Sequence, residues 1–131
     1  MRSLENLNRY APQALGVLRI ITALLFMAHG TQKMFGFPEA QAAFSALPTL
    51  IQLAAVMEVV GGILILIGLF TRPVAFLLSG QMAIAYFMAH APKGAFPGVN
   101  GGDAAILFCF IFLYLFFAGA GAFSVDSKTR I

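Results

Sequence analysis

The chain has 131 residues, of which 60% are hydrophobic and 10% charged, and its formal net charge is +3. With a mean hydropathy of +0.90, that composition excludes a soluble globular domain of this size and points to an integral membrane protein. The positive charge falls on residues that flank apolar segments, so it argues for membrane anchoring, and no nucleic-acid partner is expected.

In chain order, Met1 to Pro12 sets Leu4, Leu7 and Tyr10 at helical spacing beside Arg2, Glu5 and Arg9, which predicts a short amphipathic lead-in at the membrane surface. Ala14 to Met34 is the first predicted span. It is too long for a secretory leader, carries Arg19 and His29, and has no small-residue cleavage pattern behind it, so it is expected to be retained. The loop from Phe35 to Leu47 holds Pro38-Glu39 ahead of Phe44 and Leu47, a pattern for a small helix on the outer surface. Pro48 to Phe70 is the second span. The turn Thr71-Arg72-Pro73 is tight, with a proline suited to the first turn of the third span, Pro73 to Ala91. Prolines and glycines crowd Ala91 to Gly102, which predicts an irregular segment before the fourth span, Asp103 to Phe123. Each span has roughly the 20 residues that cross a hydrocarbon core of about 30 Å. The expected fold is all-α: a membrane-spanning four-helix bundle in one domain covering residues 1–131.

Basic residues suggest the orientation. With both termini cytoplasmic, that side carries Arg2, Arg9, Arg72, Lys128 and Arg130, against Lys33 and Lys93 on the other, as the positive-inside rule prefers. The longer connections then lie outside, where a site has more room to form.

The polar residues inside the spans carry the chemistry. Glu58 sits in the second span with no cationic residue near it in sequence, and an ionised carboxylate there is costly unless another helix supplies a partner. The first span offers Arg19, His29 and Lys33, which with Thr22, Phe26 and Gly30 fall on about a third of the helix circumference. Such a stripe should face the bundle interior. Lys33 taken alone reads as a residue that snorkels to the outer surface. On the second span, Ile51, Ala54, Ala55, Gly61, Gly62, Ile65 and Gly68 share the face of Glu58, and their small side chains suit close helix contact. Helical rise puts Glu58 near mid-membrane, about 9 Å in depth from Arg19 and about 6 Å from His29. A pair with Arg19 would hold the carboxylate ionised, a pair with His29 could exchange a proton, and either could serve only to fix helix register. Glycine-rich faces would equally serve a homo-oligomer.

Phe26-Met27-Ala28-His29 is echoed by Phe87-Met88-Ala89-His90, each followed by a lysine, Lys33 and Lys93, as in a parallel repeat of two hairpins. The two histidines raise haem, or zinc with Glu58 or Asp103, but no HxxxH, HxxE or CxxC spacing supports a metal and none is expected. Tyr86, one turn before His90, is a candidate partner for it. Cys109 is alone, so no intramolecular disulfide or CxxC exchange is available. Asp103 follows Gly101-Gly102 and is placed to begin or cap the fourth helix.

The segments Leu18-Arg19-Ile20, His29 to Gly36, Glu58-Val59-Val60-Gly61-Gly62, Gly68 to Arg72 and Gly119 to Asp126 resemble the DoxX family across nearly the whole chain. Asp103 departs from the glutamate that is common there. The resemblance implies a small four-span protein of the bacterial cytoplasmic membrane, some of whose relatives belong to a thiosulfate:quinone oxidoreductase or associate with redox and detoxifying partners. Two functions are therefore expected as alternatives. One is a component of a quinone-linked redox or detoxification system, with membrane or peripheral redox partners. In it Glu58, His29 and Arg19 are candidate catalytic residues, and Lys33, His90 and Asp103 are candidate substrate-binding residues for an anion or a quinone oxygen. The other is a non-catalytic scaffold whose interior charges serve packing.

Overall fold

The computed structural model describes residues 2–39 and 43–129. Its four long helices are α1 (Ala11–Phe35), α2 (Thr49–Ile67), α3 (Thr71–Ala85) and α4 (Asp103–Ala118). The described residues are helical or irregular, with no strand among them. Apolar residues run all round α2 and α4, as in helices that face lipid on one side and helices on the other. Three helical stretches, Ser3–Phe35, Thr49–Ile67 and Thr71–Lys93, are long and apolar enough to cross a membrane, and Asp103–Ala118 is a shorter apolar helix. The protein is a helical membrane bundle with its N-terminus, its C-terminal segment and the α2–α3 turn at one end. That end is called the terminal end below, and the opposite one the far end.

The amphipathic lead-in is present as two short helical pieces, Arg2–Glu5 and Asn6–Tyr10, that run into α1 and leave Leu4, Leu7 and Tyr10 exposed. The first far-end loop contributes one helical turn, Phe44–Ala46, fixed to α2 where Gln52 Nε2 donates to Phe44 O at 2.8 Å. Arg130, counted above for orientation, lies outside the described residues. The loop expected to be irregular is partly ordered into the turns Ala91–Lys93 and Pro97–Asn100, and α3 reaches it through a π-helical turn, Tyr86–His90.

The fourth span is the main correction. It was expected to run to Phe123, yet α4 stops at Ala118, and at 1.5 Å per residue its 16 residues extend about 24 Å. Gly119 and Gly121 adopt φ of +84° and +74°, which turns the chain back toward α1. A Cβ on Gly121 would stand 2.8 Å from Pro12 O and 2.9 Å from Gly16 N, so only glycine permits this approach. Ala122 N then donates to Pro12 O at 2.9 Å.

The helices associate mainly as two antiparallel pairs, α1 with α2 and α3 with α4. Small residues make the first contact close. A Cβ on Gly30 would lie 2.8 Å from Glu58 Cβ and 3.0 Å from Ala55 O, and one on Gly62 would collide with Met27. A Cβ on Gly61 would lie 2.9 Å from a methyl group of Leu78 on α3. Between the pairs lies the core of Phe26, Ile65, Leu78, Phe108, Phe112 and Leu115, in which Phe26 meets Phe108 and Phe112 edge-on at 5.5 and 4.9 Å. Toward the far end this seam opens.

Candidate functional site

The polar residues separate into two assemblies. At the terminal end, Arg19 is fully buried, and all five of its N–H donors meet backbone carbonyls. Nε donates to Ile65 O at 2.9 Å, and Nη2 to Leu66 O at 3.4 Å and Phe123 O at 2.7 Å. Nη1 donates to Ala122 O at 3.0 Å and to Ala120 O. The sequence explains why the Ile65 and Leu66 carbonyls lie at a helix end within reach of Arg19. Gly68, at φ +70°, ends α2 in a tight reversal, with Gly68 N on Ile65 O at 3.1 Å and Leu69 N on Leu64 O at 2.9 Å. The carbonyl end of a helix attracts a cation.

Two further charges act on helix ends there. Asp126 accepts from Phe70 N at 3.0 Å and Thr71 N at 2.9 Å, so a residue 55 positions away caps the N-terminus of α3. Arg72 donates to Phe117 O at 2.6 Å and Phe116 O at 3.3 Å, closing the C-terminus of α4. Pro73, expected at the helix start, falls in the first turn of α3, where its missing N–H is harmless.

Arg19 is therefore not the partner of Glu58. That partner is Lys33, whose Nζ lies 2.6 Å from Oε1 and 3.1 Å from Oε2, the one ion pair among the described residues. The close approach at Gly30 sets Glu58 level with that residue, so Lys33, one turn further along α1, bends back to it rather than reaching outward. The Glu58 side chain is 3% exposed and that of Lys33 29%. His29 does not pair with the carboxylate either. Its Nδ1 bonds Leu25 O at 3.0 Å, and its ring meets Phe108 edge-on at 5.7 Å.

The Lys33–Glu58 pair forms part of the wall of a cavity of about 730 Å³ in the open part of the seam. His29, His90 and Gln81 share that wall, and the rest is apolar, including Phe26, Met57, Leu77, Ile84 and Phe108. Many of those apolar side chains are also exposed on the lipid-facing surface, so the cavity opens sideways toward the membrane. Gly80 lines it with nothing within 4 Å of where its Cβ would be, and a side chain there would occupy the space. A large, mostly apolar space with a few convergent polar groups is the usual form of a small-molecule site.

His90 is held from outside the cavity. Its Nδ1 bonds Asn100 O at 3.2 Å and its ring stacks on Tyr86 with centroids 6.3 Å apart. Tyr86, the expected partner of His90, gives that ring contact but joins its hydroxyl to Asn100 Nδ2 at 3.0 Å. Asn100 also donates to Gly94 O and accepts from Gly102 N, which ties the far-end loop into one piece. Asp103 occupies the first position of α4, suited to the helix dipole, with an exposed side chain that makes no capping bond and stays outside the cavity wall. No group of three His, Cys, Asp or Glu side chains among the described residues is arranged to hold a metal ion.

Of the six residues singled out from sequence, the fold gathers Glu58, Lys33, His29 and His90 around one space and leaves Arg19 and Asp103 elsewhere. Gln81 was missed. It is an uncharged amide in the middle of the third span, and its Nε2 donates to Ala54 O at 3.2 Å, one turn from Glu58. A polar amide within an apolar span was the signal available.

A small helical membrane bundle, closed by charge at one end and hollow at the other, is the class these observations define. The DoxX family model matches residues 14–91, and the chain belongs to the DoxX family. It is 45% identical over 95% of its length to a protein of Haemophilus influenzae (strain Rd) described as uncharacterized, covering 97% of that protein. It is 34% identical over 89% of its length to the inner membrane protein YphA of Escherichia coli (strain K12), covering 91% of it. No solved structure matches.

Proposed function

We propose that the protein is the lipid-facing component of a quinone-linked redox or detoxification system, binding the quinone in the cavity between the helix pairs. The observation that carries this reading is a sideways-opening apolar cavity of about 730 Å³ whose few polar groups include a lysine, a carboxylate and two histidines. A quinone reaches its protein partners through the bilayer, and a lateral opening admits it without crossing water. Lys33 and His90 hold the head of the molecule, while Glu58 and His29 take and return protons. Electrons come from a partner subunit. The family unit extends past the matched residues 14–91 to the end of the chain, since Gly119 to Asp126 close the bundle. The termini face the cytoplasm of a bacterial inner membrane, a placement favoured by Arg2, Arg9, Arg72 and Lys128 and by the location named for the Escherichia coli relative.

The test is mass spectrometry of lipids that co-purify with the protein, beside Gly80→Leu, which fills the cavity without meeting a neighbour at its Cβ. A quinone-class molecule is expected with the native chain and lost from Gly80→Leu. Its absence from folded native protein purified from quinone-containing membranes would overturn the reading.

The second reading, a non-catalytic scaffold, draws on the terminal end, where Arg19, Arg72 and Asp126 all serve backbone ends. It predicts that interaction partners stay unchanged in His29→Ala and His90→Ala.

A further inference from the structure

The hydrogen-bonding sense of the cavity wall is set by atoms outside the cavity. Nδ1 of His29 bonds Leu25 O and Nδ1 of His90 bonds Asn100 O. A carbonyl only accepts, so the proton sits on Nδ1 in both rings, and in the neutral imidazole this leaves Nε2 as an acceptor. The Asn100 clasp makes the choice firm at His90, because the carbonyl it uses belongs to a loop held by three other hydrogen bonds. Glu58 receives two contacts from Lys33, and a carboxylate has about four acceptor sites, so it retains acceptor capacity. Gln81 is oriented by the bond from Nε2 to Ala54 O, and its Oε1 is buried without a donor. Among the side chains of the wall, the donors left are one N–H of Lys33 and the second N–H of Gln81 Nε2, against acceptors on His29, His90, Glu58 and Gln81.

We propose that the cavity selects its occupant by hydrogen-bond donors: it takes the dihydroxy, reduced form of an aromatic membrane lipid in preference to the dicarbonyl, oxidised form. His29 and His90 accept from the hydroxyl groups. This rests on the quinone-class reading of the cavity and adds which redox state it holds. A dihydroxy ring brings donors to a wall of acceptors. A dicarbonyl ring brings two more acceptors to a wall where acceptors already outnumber donors, and it leaves both histidine Nε2 atoms desolvated without a partner. The Gln81 oxygen, buried without a donor, adds to that excess of acceptors.

The experiment compares three probes with one short alkyl chain, a hydroquinone, its dimethyl ether and the matching benzoquinone, added to the protein in lipid nanodiscs under anaerobic conditions. The hydroquinone is expected to bind at least about tenfold more tightly than either of the others, the scale of one or two well-made hydrogen bonds. The preference should vanish in the double variant His29→Phe, His90→Phe. Should that variant fail to fold, nitrogen NMR of the native protein labelled at histidine supplies a second readout. Both neutral rings should carry the proton on Nδ1, and their Nε2 signals should move when hydroquinone is added. Equal or tighter binding of the benzoquinone, or neutral rings protonated on Nε2, would overturn this inference alone. Failure of all three probes to bind would overturn the proposed function with it.

Discussion

The two ends of the bundle use charge in opposite ways. At the terminal end Arg19, Arg72 and Asp126 are directed at backbone groups, and each satisfies helix termini that the apolar sequence could not cap for itself. At the far end Lys33 and Glu58 satisfy each other and stand in the wall of an open space beside two histidines. A buried guanidinium with all five donors engaged has nothing left for a ligand, whereas a partly exposed ammonium on a carboxylate does. The contrast teaches that a charge inside a span marks a function only when its bonding capacity is incomplete. Removing charge should therefore damage folding at one end and binding at the other.

The largest effect is expected at Arg19. Arg19→Ala strands several carbonyls in a dry interior, and Arg19→Lys keeps the charge with only three donors, so both should cost about 3–5 kcal/mol. Thermal unfolding in detergent would measure it, and a fully stable Arg19→Lys would break the account of the terminal end. Asp126→Ala should come next, at about 1–2 kcal/mol, from loss of the cap on α3. Hydrogen exchange should then rise at Phe70 and Thr71 before it rises elsewhere.

The far end should respond asymmetrically. Lys33→Ala leaves a 3% exposed carboxylate without its partner and should cost about 1–3 kcal/mol, whereas Glu58→Ala frees a lysine long enough to reach water and should cost less. Equal losses would show that the pair lies nearer the surface than described. The glycines of the two helix faces give a finer comparison. Gly30→Ala forces a methyl group against Glu58 and Ala55 and should destabilise by about 1–3 kcal/mol, while Gly80→Ala has open space and should be neutral or gain up to about 1 kcal/mol. The smallest effect belongs to His29→Phe, within about 0.5 kcal/mol in stability, because the ring is exposed and bonds only its own helix. If ligand binding also stayed unchanged in that variant, His29 would have no part in the site.

Composition and periodicity were enough to place the first three spans, because a bilayer of fixed thickness demands a fixed length of apolar helix. The stripe from Arg19 to Lys33 and the small-residue face of α2 were legible for the same reason, since a helix repeats its faces at a known angle. Gly30, Gly61 and Gly62 do sit at close contacts. The choice of partner for Glu58 was not legible. Arg19 and Lys33 lie on one stripe, and which of them meets the carboxylate depends on how far α2 is shifted along α1, a matter settled where Gly30 packs on Glu58. The early end of α4 had a local signal in Gly119-Ala120-Gly121, but hydropathy alone runs through it.

What the sequence determined by itself is a helical membrane protein of the DoxX family with one acidic and several basic groups inside its spans. Only the tertiary structure decided that the arginine binds carbonyls, that the lysine binds the glutamate, and that the two histidines face one cavity. The reason is physical. Helix formation and burial in lipid are decided within about 20 residues of chain, while the pairing of interior charges is decided by helix register and by loops 50 to 100 residues away, which no local pattern encodes.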